Sequence, residues 1–94
     1  MTELKPSDIV QSLAGHDSGG LFLVLRTEAG FAEIADGRLR KGTKPKRKNV
    51  RHLAFRAECT SPVAERIQRG ESVADCEIRK TLAPYRAATA KGGN

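Results

Sequence analysis

Short apolar segments separated by turn residues dominate the first 55 residues of the chain. Apolar and polar positions alternate over residues 8–13, and a continuous apolar run follows at 21–25. Both patterns are typical of strands, the second one buried on both faces. Three further strands are predicted at 31–35, 38–41 and 50–55. No helical pattern lies between these strands, and a closed sheet has no unpaired edges, so the pattern predicts a small five-stranded barrel.

The pair Asp36-Gly37 is the strongest turn signal between these strands. A type I′ hairpin turn needs positive φ at both central residues, and Asp followed by Gly is one of the pairs that adopt it most readily. On the strand that follows, alternation predicts that Leu39 faces inward and that Arg38 and Arg40 face outward.

Helical signals appear only after residue 55. Ser61 and Pro62 are typical of a helix N-terminus, and Gly70 is typical of a C-terminal end. A second helix is predicted between Ser72, as its N-cap, and Pro84, as its end. The apolar positions expected to be buried are Val63, Ala64 and Ile67 in the first helix and Ala74, Ile78 and Leu82 in the second.

Neither predicted helix is long enough to be stable alone in water, so each must pack on the barrel, on the other helix or on a partner. We therefore divide the chain into a barrel over residues 1–55 and a helical extension with a flexible C-terminal tail over residues 56–94. The predicted fold class is mainly β. A chain of this size buries a small core, to which we assign Phe22 and Phe31, and this favours a module that presents a surface.

The positive charge of the chain is concentrated in one segment, residues 36–53. The 94-residue chain carries a net charge of +6, and this segment alone holds eight basic residues against one acid. Its basic residues are Arg38, Arg40, Lys41, Lys44, Lys46, Arg47, Lys48 and Arg51. Residues 43–49 are predicted to be a loop, because Pro45 and the dense charge oppose regular structure. A block of one sign indicates a polyanionic partner, since basic side chains neutralise phosphates and release counterions.

Residues 14–20, the glycine loop, are the second candidate contact and contain three glycines. Glycine permits positive φ and close approach, so the backbone N–H groups at Gly15 and Gly19 can come near a ribose-phosphate chain. The alternative is that these glycines serve the geometry of the turn alone. His16, at the exposed tip, either stacks on a base or remains solvated.

Other chemical signals are few. The two cysteines, Cys59 and Cys76, are too far apart for a Cys-x-x-Cys pair, and two histidines cannot complete a familiar zinc site. Residues 16–20, His-Asp-Ser-Gly-Gly, are similar to the nucleophile segment of trypsin-like proteases, but that chemistry needs a far larger scaffold. We therefore expect no enzyme activity, no cofactor and no metal.

The longest apolar run is too short to span a membrane, and we expect a cytoplasmic protein.

Residues 8–25, DIVQSLAGHDSGGLFLVL, resemble the KOW motif, in which two apolar strands flank a polar loop with glycines. The matching positions are Ile9, Val10, Gly15, Gly19 or Gly20, and the run 21–25. The continuation over residues 31–53 resembles the small KOW-domain RNA-binding proteins of bacteria, which are similar to a group of archaeal and eukaryotic large-subunit ribosomal proteins. Position 11 is Gln11, where such strands commonly carry a basic residue.

This resemblance extends over about residues 7–55 and implies an SH3-like barrel, RNA binding and a link to translation. With the charge and the glycine loop, it predicts a cytoplasmic monomer that binds structured ribosomal RNA, with ribosomal proteins as further partners. The predicted RNA-binding residues are Gly15, His16, Gly19, Arg38, Arg40, Lys41, Lys44, Lys46, Arg47, Lys48 and Arg51. Scarce aromatic side chains favour recognition of shape and backbone over stacking of single-stranded bases.

The main alternative is a protein–protein docking module that is attached to the translation or transcription machinery and makes no direct RNA contact. An acidic protein surface attracts a basic segment as RNA does. Two further alternatives are that the basic segment is solvated and only confers solubility, or that residues 44–48 are a nuclear localisation signal. RNase digestion separates the first two hypotheses, because only an RNA-mediated association with ribosomes is lost.

Overall fold

In the residues that the computed structural model describes, 4–13, 15 and 19–92, five antiparallel strands are followed by two helices. The strands are β1 (Asp8–Ser12), β2 (Leu21–Glu28), β3 (Phe31–Ala35), β4 (Lys46–Asn49) and β5 (Leu53–Glu58). A 3-10 helix (Val50–His52) joins β4 to β5, and the helices α1 (Pro62–Gln68) and α2 (Asp75–Gly92) follow. The predicted mainly β fold class with a helical C-terminal extension is confirmed.

The sheet is open, with the strand order β4-β3-β2-β1-β5 and with β4 and β5 as its edges. The predicted closure into a barrel is not shown, because each edge strand pairs with a single neighbour among the described residues. Register shifts between Ile9 and Val10 and between Val24 and Arg26 mark bulges, which bend a sheet. The edge strand β4 has the sequence KRKN, and such charged side chains protect an edge from further pairing without closure.

The segment after β3 differs from the predicted hairpin, and the strand predicted directly after Gly37 is wrong. The carboxylate Oδ1 of Asp36 accepts hydrogen bonds from the backbone N–H groups of Arg38 at 2.8 Å and Arg40 at 3.0 Å. The N–H groups of Asp36 and Gly37 both donate to the Arg40 carbonyl, at 2.9 and 3.1 Å. These bonds close a tight loop and leave Leu39, predicted to face inward, 86% exposed. The positive φ predicted for Gly37 is confirmed, at 76°.

Two consecutive residues with positive φ occur instead between β2 and β3, at Ala29 (42°) and Gly30 (86°). This is the backbone geometry of a type I′ turn, which suits the right-handed twist of the two strands that it joins. Residues 29–30 therefore connect β2 to β3 as a two-residue tight turn.

The structure places a strand, β4, within the segment 43–49 that the charge predicted to be a loop. The prediction is wrong at 46–49 because β4 is an edge strand, so its backbone pairs with β3 while its charged side chains keep access to water. Pro45 directly precedes β4, where its missing N–H removes no hydrogen bond from the ladder. The strand predicted at 50–55 begins only at Leu53, after the 3-10 helix.

Both faces of the sheet are buried, and the helices cover one of them. On that face Ile9 and Leu23 pack with Ile67 of α1 and with Ile78 and Leu82 of α2. The opposite face carries a second cluster, formed by Val10, Phe22, Val24, Ala32, Ile34 and Leu53. The apolar start of β2 contributes to both clusters, as predicted for a strand buried on two faces. The helices therefore share a core with the strands, which is one of the three packing arrangements left open above.

Helix α1 lies where the sequence predicts it. Ser61 is its N-cap, Pro62 is its first residue, and Gly70, with a φ of 82°, follows its C-terminal end. Ala64 and Ile67 are buried, as predicted, whereas Val63, also predicted to be buried, is half-buried against the same cluster.

Helix α2 differs from the prediction at both ends. It begins at Asp75 and not directly after Ser72, because the carboxylate of Glu77 accepts a hydrogen bond from the Ala74 N–H at 3.2 Å and caps the helix there. Ala74 is consequently exposed, not part of the buried stripe. Pro84, predicted to end the helix, lies inside it and is exposed, so the loss of one helical hydrogen bond falls on the solvent side.

Asp8, at the start of β1, is 2% exposed, and its carboxylate accepts a hydrogen bond from the Lys5 N–H at 2.8 Å. Burial raises the pKa of Asp8 above its ordinary value of 3.8. The folded state therefore favours the neutral acid, and the stability that this group contributes below pH 3.8 is lost as the pH rises through the raised pKa.

We expect Asp8→Asn to remove this pH dependence, because the amide stays neutral and its oxygen can accept the same hydrogen bond. The free energy of unfolding of the variant should rise relative to that of the wild type as the pH increases above 3.8. Urea unfolding of both proteins over a pH series measures the difference. A difference that is constant with pH would contradict the prediction.

Candidate nucleic-acid interface

The side chains of β4 point alternately to the two faces of the sheet. The register pairs Lys46 with Ile34 and Lys48 with Ala32, so both lysines lie on the face of the second cluster and are half-buried. Arg47 is exposed on the opposite face. The basic residues of β4 therefore form the two sides of a charged edge and not one continuous face.

Arg47 lies over the ring of Phe31, with its guanidinium carbon 4.5 Å from the ring centroid. Phe31, predicted to be part of the core, is 36% exposed because it begins β3 at the outer end of the sheet. A guanidinium over an aromatic face is attracted by the negative potential of that face. The pair places an exposed positive charge beside the outer end of β3.

The glycine loop meets β4 at Gly15. A Cβ atom built on Gly15 would lie 3.5 Å from Nζ of Lys48. Gly15 and Gly19 both have positive φ, at 79° and 87°, as predicted for this loop. The N–H of Gly19 donates to the Ser12 carbonyl at 2.7 Å, which anchors the end of the loop on β1. Two segments that were predicted separately to contact RNA are thus neighbours; His16 lies outside the described residues.

A second cation approaches the glycine loop from β5. Arg56 donates hydrogen bonds to Oε1 of Gln11, through Nε at 2.9 Å and through Nη2. The amide of Gln11 in turn donates to the Gly19 carbonyl at 3.2 Å. The KOW resemblance leads one to expect a basic residue at position 11, but the chain carries Gln11 there. The guanidinium of Arg56, which is hydrogen-bonded to Gln11, places a positive charge at this position instead. Sequence analysis missed Arg56, because the register of β1 with β5 alone makes the two residues neighbours.

The remaining candidates lie in the basic loop, residues 36–45, and, for Arg51, in the 3-10 helix. The N–H of Lys44 donates to the Lys41 carbonyl at 3.0 Å, and the N–H of Arg51 is capped by Oδ1 of Asn49 at 3.0 Å. Arg38 and Arg40 were predicted to hold a fixed spacing on a strand, and they instead belong to this loop. Of the predicted basic residues, Arg38, Lys41, Lys44, Arg47 and Arg51 are exposed, and Arg40, Lys46 and Lys48 are half-buried.

Helix α2 holds the basic loop at both ends. Nη1 of Arg79 donates to the Gly37 carbonyl at 2.6 Å, and Oδ1 of Asp75 accepts a hydrogen bond from the Gly42 N–H at 2.8 Å. Nη2 of Arg86 donates to the Asp36 carbonyl at 3.4 Å. The conformation of the basic loop therefore depends on a helix that lies more than thirty residues away in the sequence.

Sites for other chemistry are not apparent in the described part of the chain. No group of three or more His, Cys, Asp or Glu side chains there is arranged to hold a metal ion. Within the same residues, no helix combines the length and the apolar character that crossing a bilayer requires. In comparisons with known proteins, no protein-family model matches the chain, and no curated protein matches it either.

Proposed function

We propose that this protein binds structured RNA, with ribosomal RNA and the translation machinery as its context. The contact surface in this proposal, the basic surface, comprises the glycine loop, the basic loop, β4 and Arg51. In this proposal the protein is a binding module and not an enzyme.

The observation that carries the proposal is the approach of Lys48 Nζ to Gly15. An ammonium group beside a backbone that carries no side chain suits a phosphate, which accepts hydrogen bonds from backbone N–H groups and is neutralised by the cation. Arg56, bound to Gln11 beside Gly19, brings a second cation to the same loop. Few rings accompany these charges, and one of them, Phe31, is covered by Arg47, so the surface favours the backbone of a folded RNA.

An SH3-like arrangement of the strands and membership of the KOW-domain family are part of the same proposal. The resemblance of residues 8–25 to the KOW motif supports both. The antiparallel order β4-β3-β2-β1-β5, the two bulges and the apolar cluster around Val10 are further support, because they are the features of a sheet that curls around a core.

The test is RNA binding over a salt series, with Lys46, Arg47 and Lys48 all replaced by Gln. About five phosphate contacts would give the wild type a slope of roughly −3 to −4 for log K against log salt on irregular RNA. The triple variant should lower the magnitude of that slope by about 2 and weaken binding at least about tenfold at physiological salt, since three contacts are lost.

A control with the same change in net charge replaces Lys5, Arg69 and Lys80 by Gln. All three are exposed, and they lie outside the basic surface. This control should keep most of the wild-type slope and affinity. A flat salt dependence of the wild type, or full binding by the triple β4 variant, would overturn RNA binding by the basic surface.

Leu39 favours the second candidate function, docking to a protein without direct RNA contact. This side chain is 86% exposed at the tip of the basic loop, between two arginines, and an apolar tip with a basic rim fits an apolar pocket with an acidic rim. If association with ribosomes survives complete RNase digestion and is weakened by Leu39→Ala, protein docking replaces RNA binding.

A further inference from the structure

We infer that helix α2 adds a phosphate-binding site to this protein, formed by the arginine cluster of Arg38, Arg79 and Arg86 at the Asp36-Gly37 turn. The inference rests on the proposed function only in that the phosphate is taken to belong to RNA. It assigns a ligand to arginines of the helical extension, which the charge pattern of residues 36–53 does not include.

The two helical arginines are placed to act together. Arg79 and Arg86 are seven positions apart, which is about two helical turns, so they lie on the same face of α2. They donate to consecutive carbonyls of the basic loop, Gly37 at 2.6 Å and Asp36 at 3.4 Å. Among the described residues, each of the two arginines makes one such hydrogen bond, which uses one of the five N–H donors of its guanidinium. Donors therefore remain for an anion that lies beside the turn.

The turn beneath the arginine cluster is held rigidly. A Cβ atom built on Gly37 would lie 2.4 Å from the Asp75 carbonyl oxygen, so the turn is in direct contact with the first turn of α2. The carboxylate of Asp36 accepts the N–H groups of Arg38 and Arg40, which fixes the direction in which Arg38 leaves the turn. A site whose donors are fixed before binding loses less conformational entropy when the ligand arrives.

The electrostatic environment favours an anion. Partial burial and the positive charge of Arg38 lower the pKa of Arg86, while the charge of Asp36 opposes this shift. One carboxylate oxygen of Asp36 also accepts hydrogen bonds from two backbone N–H groups. The negative charge of Asp36 therefore offsets only part of the positive charge of the three guanidiniums. A phosphate between the arginines relieves their mutual repulsion and accepts paired hydrogen bonds from the planar forks.

The experiment compares Arg86→Gln with Lys80→Gln in the full chain. Both variants lose one charge on α2, but Lys80 is exposed and, in the described part of the chain, shares no hydrogen bond with the turn. Gln at position 86 retains a donor for the Asp36 carbonyl, and the unfolding temperature of each variant shows whether the turn is preserved. We expect Arg86→Gln to weaken RNA binding about three- to tenfold and to lower the salt slope by about 0.7, while Lys80→Gln changes both much less. Arg86→Lys should restore only part of the affinity, because an ammonium lacks the planar fork.

A second measurement separates this inference from the proposed function. Inorganic pyrophosphate is added to protein carrying ¹⁵N-labelled arginine, and the Nε–H signals are followed by NMR. Saturable shifts of the Arg79 and Arg86 signals are expected in the wild type whether or not RNA binds, and the shift of the Arg79 signal should be lost in Arg86→Gln. If RNA binds and both Gln variants behave alike, the inference fails and the proposed function stands. If RNA does not bind, the proposed function fails, and the absence of pyrophosphate shifts overturns the inference as well.

Discussion

Gly37→Ala is expected to lower the free energy of unfolding by about 2–5 kcal/mol. Gly37 has a φ of 76°, which costs an L-residue about 1–2 kcal/mol. Its added Cβ would also lie 2.4 Å from the Asp75 carbonyl oxygen and 3.2 Å from the Arg79 N, both backbone atoms, so α2 must move away. Overpacking of this kind costs about a further 1–3 kcal/mol. Urea unfolding followed by circular dichroism measures the change.

Gly30→Ala is the matched control for the conformational part of this cost. Gly30 has a similar φ, 86°, but a Cβ atom there would meet nothing within 4 Å. It should therefore lose only about 1–2 kcal/mol. Equal losses in the two variants would show that Gly37 is required for its backbone conformation alone, and that its contact with α2 is not tight.

Leu82→Ala is expected to cost about 2–5 kcal/mol of the free energy of unfolding. Leu82 is fully buried, and it packs in the cluster that joins α2 to Ile9 of β1 and Leu23 of β2. The truncation leaves a cavity at the contact between the helix and the sheet. Because α2 also holds the basic loop, amide hydrogen exchange at Arg38 and Arg40 should become faster in this variant.

Leu39→Ala removes the same atoms from a side chain that is 86% exposed and serves as the control. It should change the free energy of unfolding by no more than about 0.5 kcal/mol. If Leu82→Ala were as mild as Leu39→Ala, the helices would not share a core with the sheet.

The elements that the sequence predicted correctly are those whose own residues specify them. The apolar run of β2 and the Ser61-Pro62 start of α1 are local signals, and they hold in the structure. β4 has no such signal, because its sequence KRKN contains no apolar residue. Its strand conformation comes from backbone pairing with β3, which a pattern of side chains does not report. The same limit applies to Pro84, whose helix-ending effect is overridden where Ile78 and Leu82 anchor α2 on the sheet.

The candidate interface was predictable in its charge and not in its shape. The eight basic residues of 36–53 were evident from composition, but the assignment of Arg38 and Arg40 to a strand was wrong. Asp36 sets their conformation because its carboxylate accepts hydrogen bonds from the backbone N–H groups of both arginines. An Asp-Gly pair is equally compatible with that loop and with a hairpin. Arg56, Arg79 and Arg86 carry no local signal, because their relevance comes from residues far away in the sequence.

By itself the sequence determined the mainly β composition of the fold, the positions of the first three strands and of α1, the positive φ of Gly37 and the site of the basic block. Each of these follows from side-chain period, turn chemistry or charge within a few residues. Only the tertiary structure decided that the sheet is open, that Gly15 lies beside Lys48, and that Asp75 and Arg79 of α2 form hydrogen bonds with the basic loop. The physical reason is that these contacts join residues dozens of positions apart, so strand register and helix packing, and no local preference, bring them together.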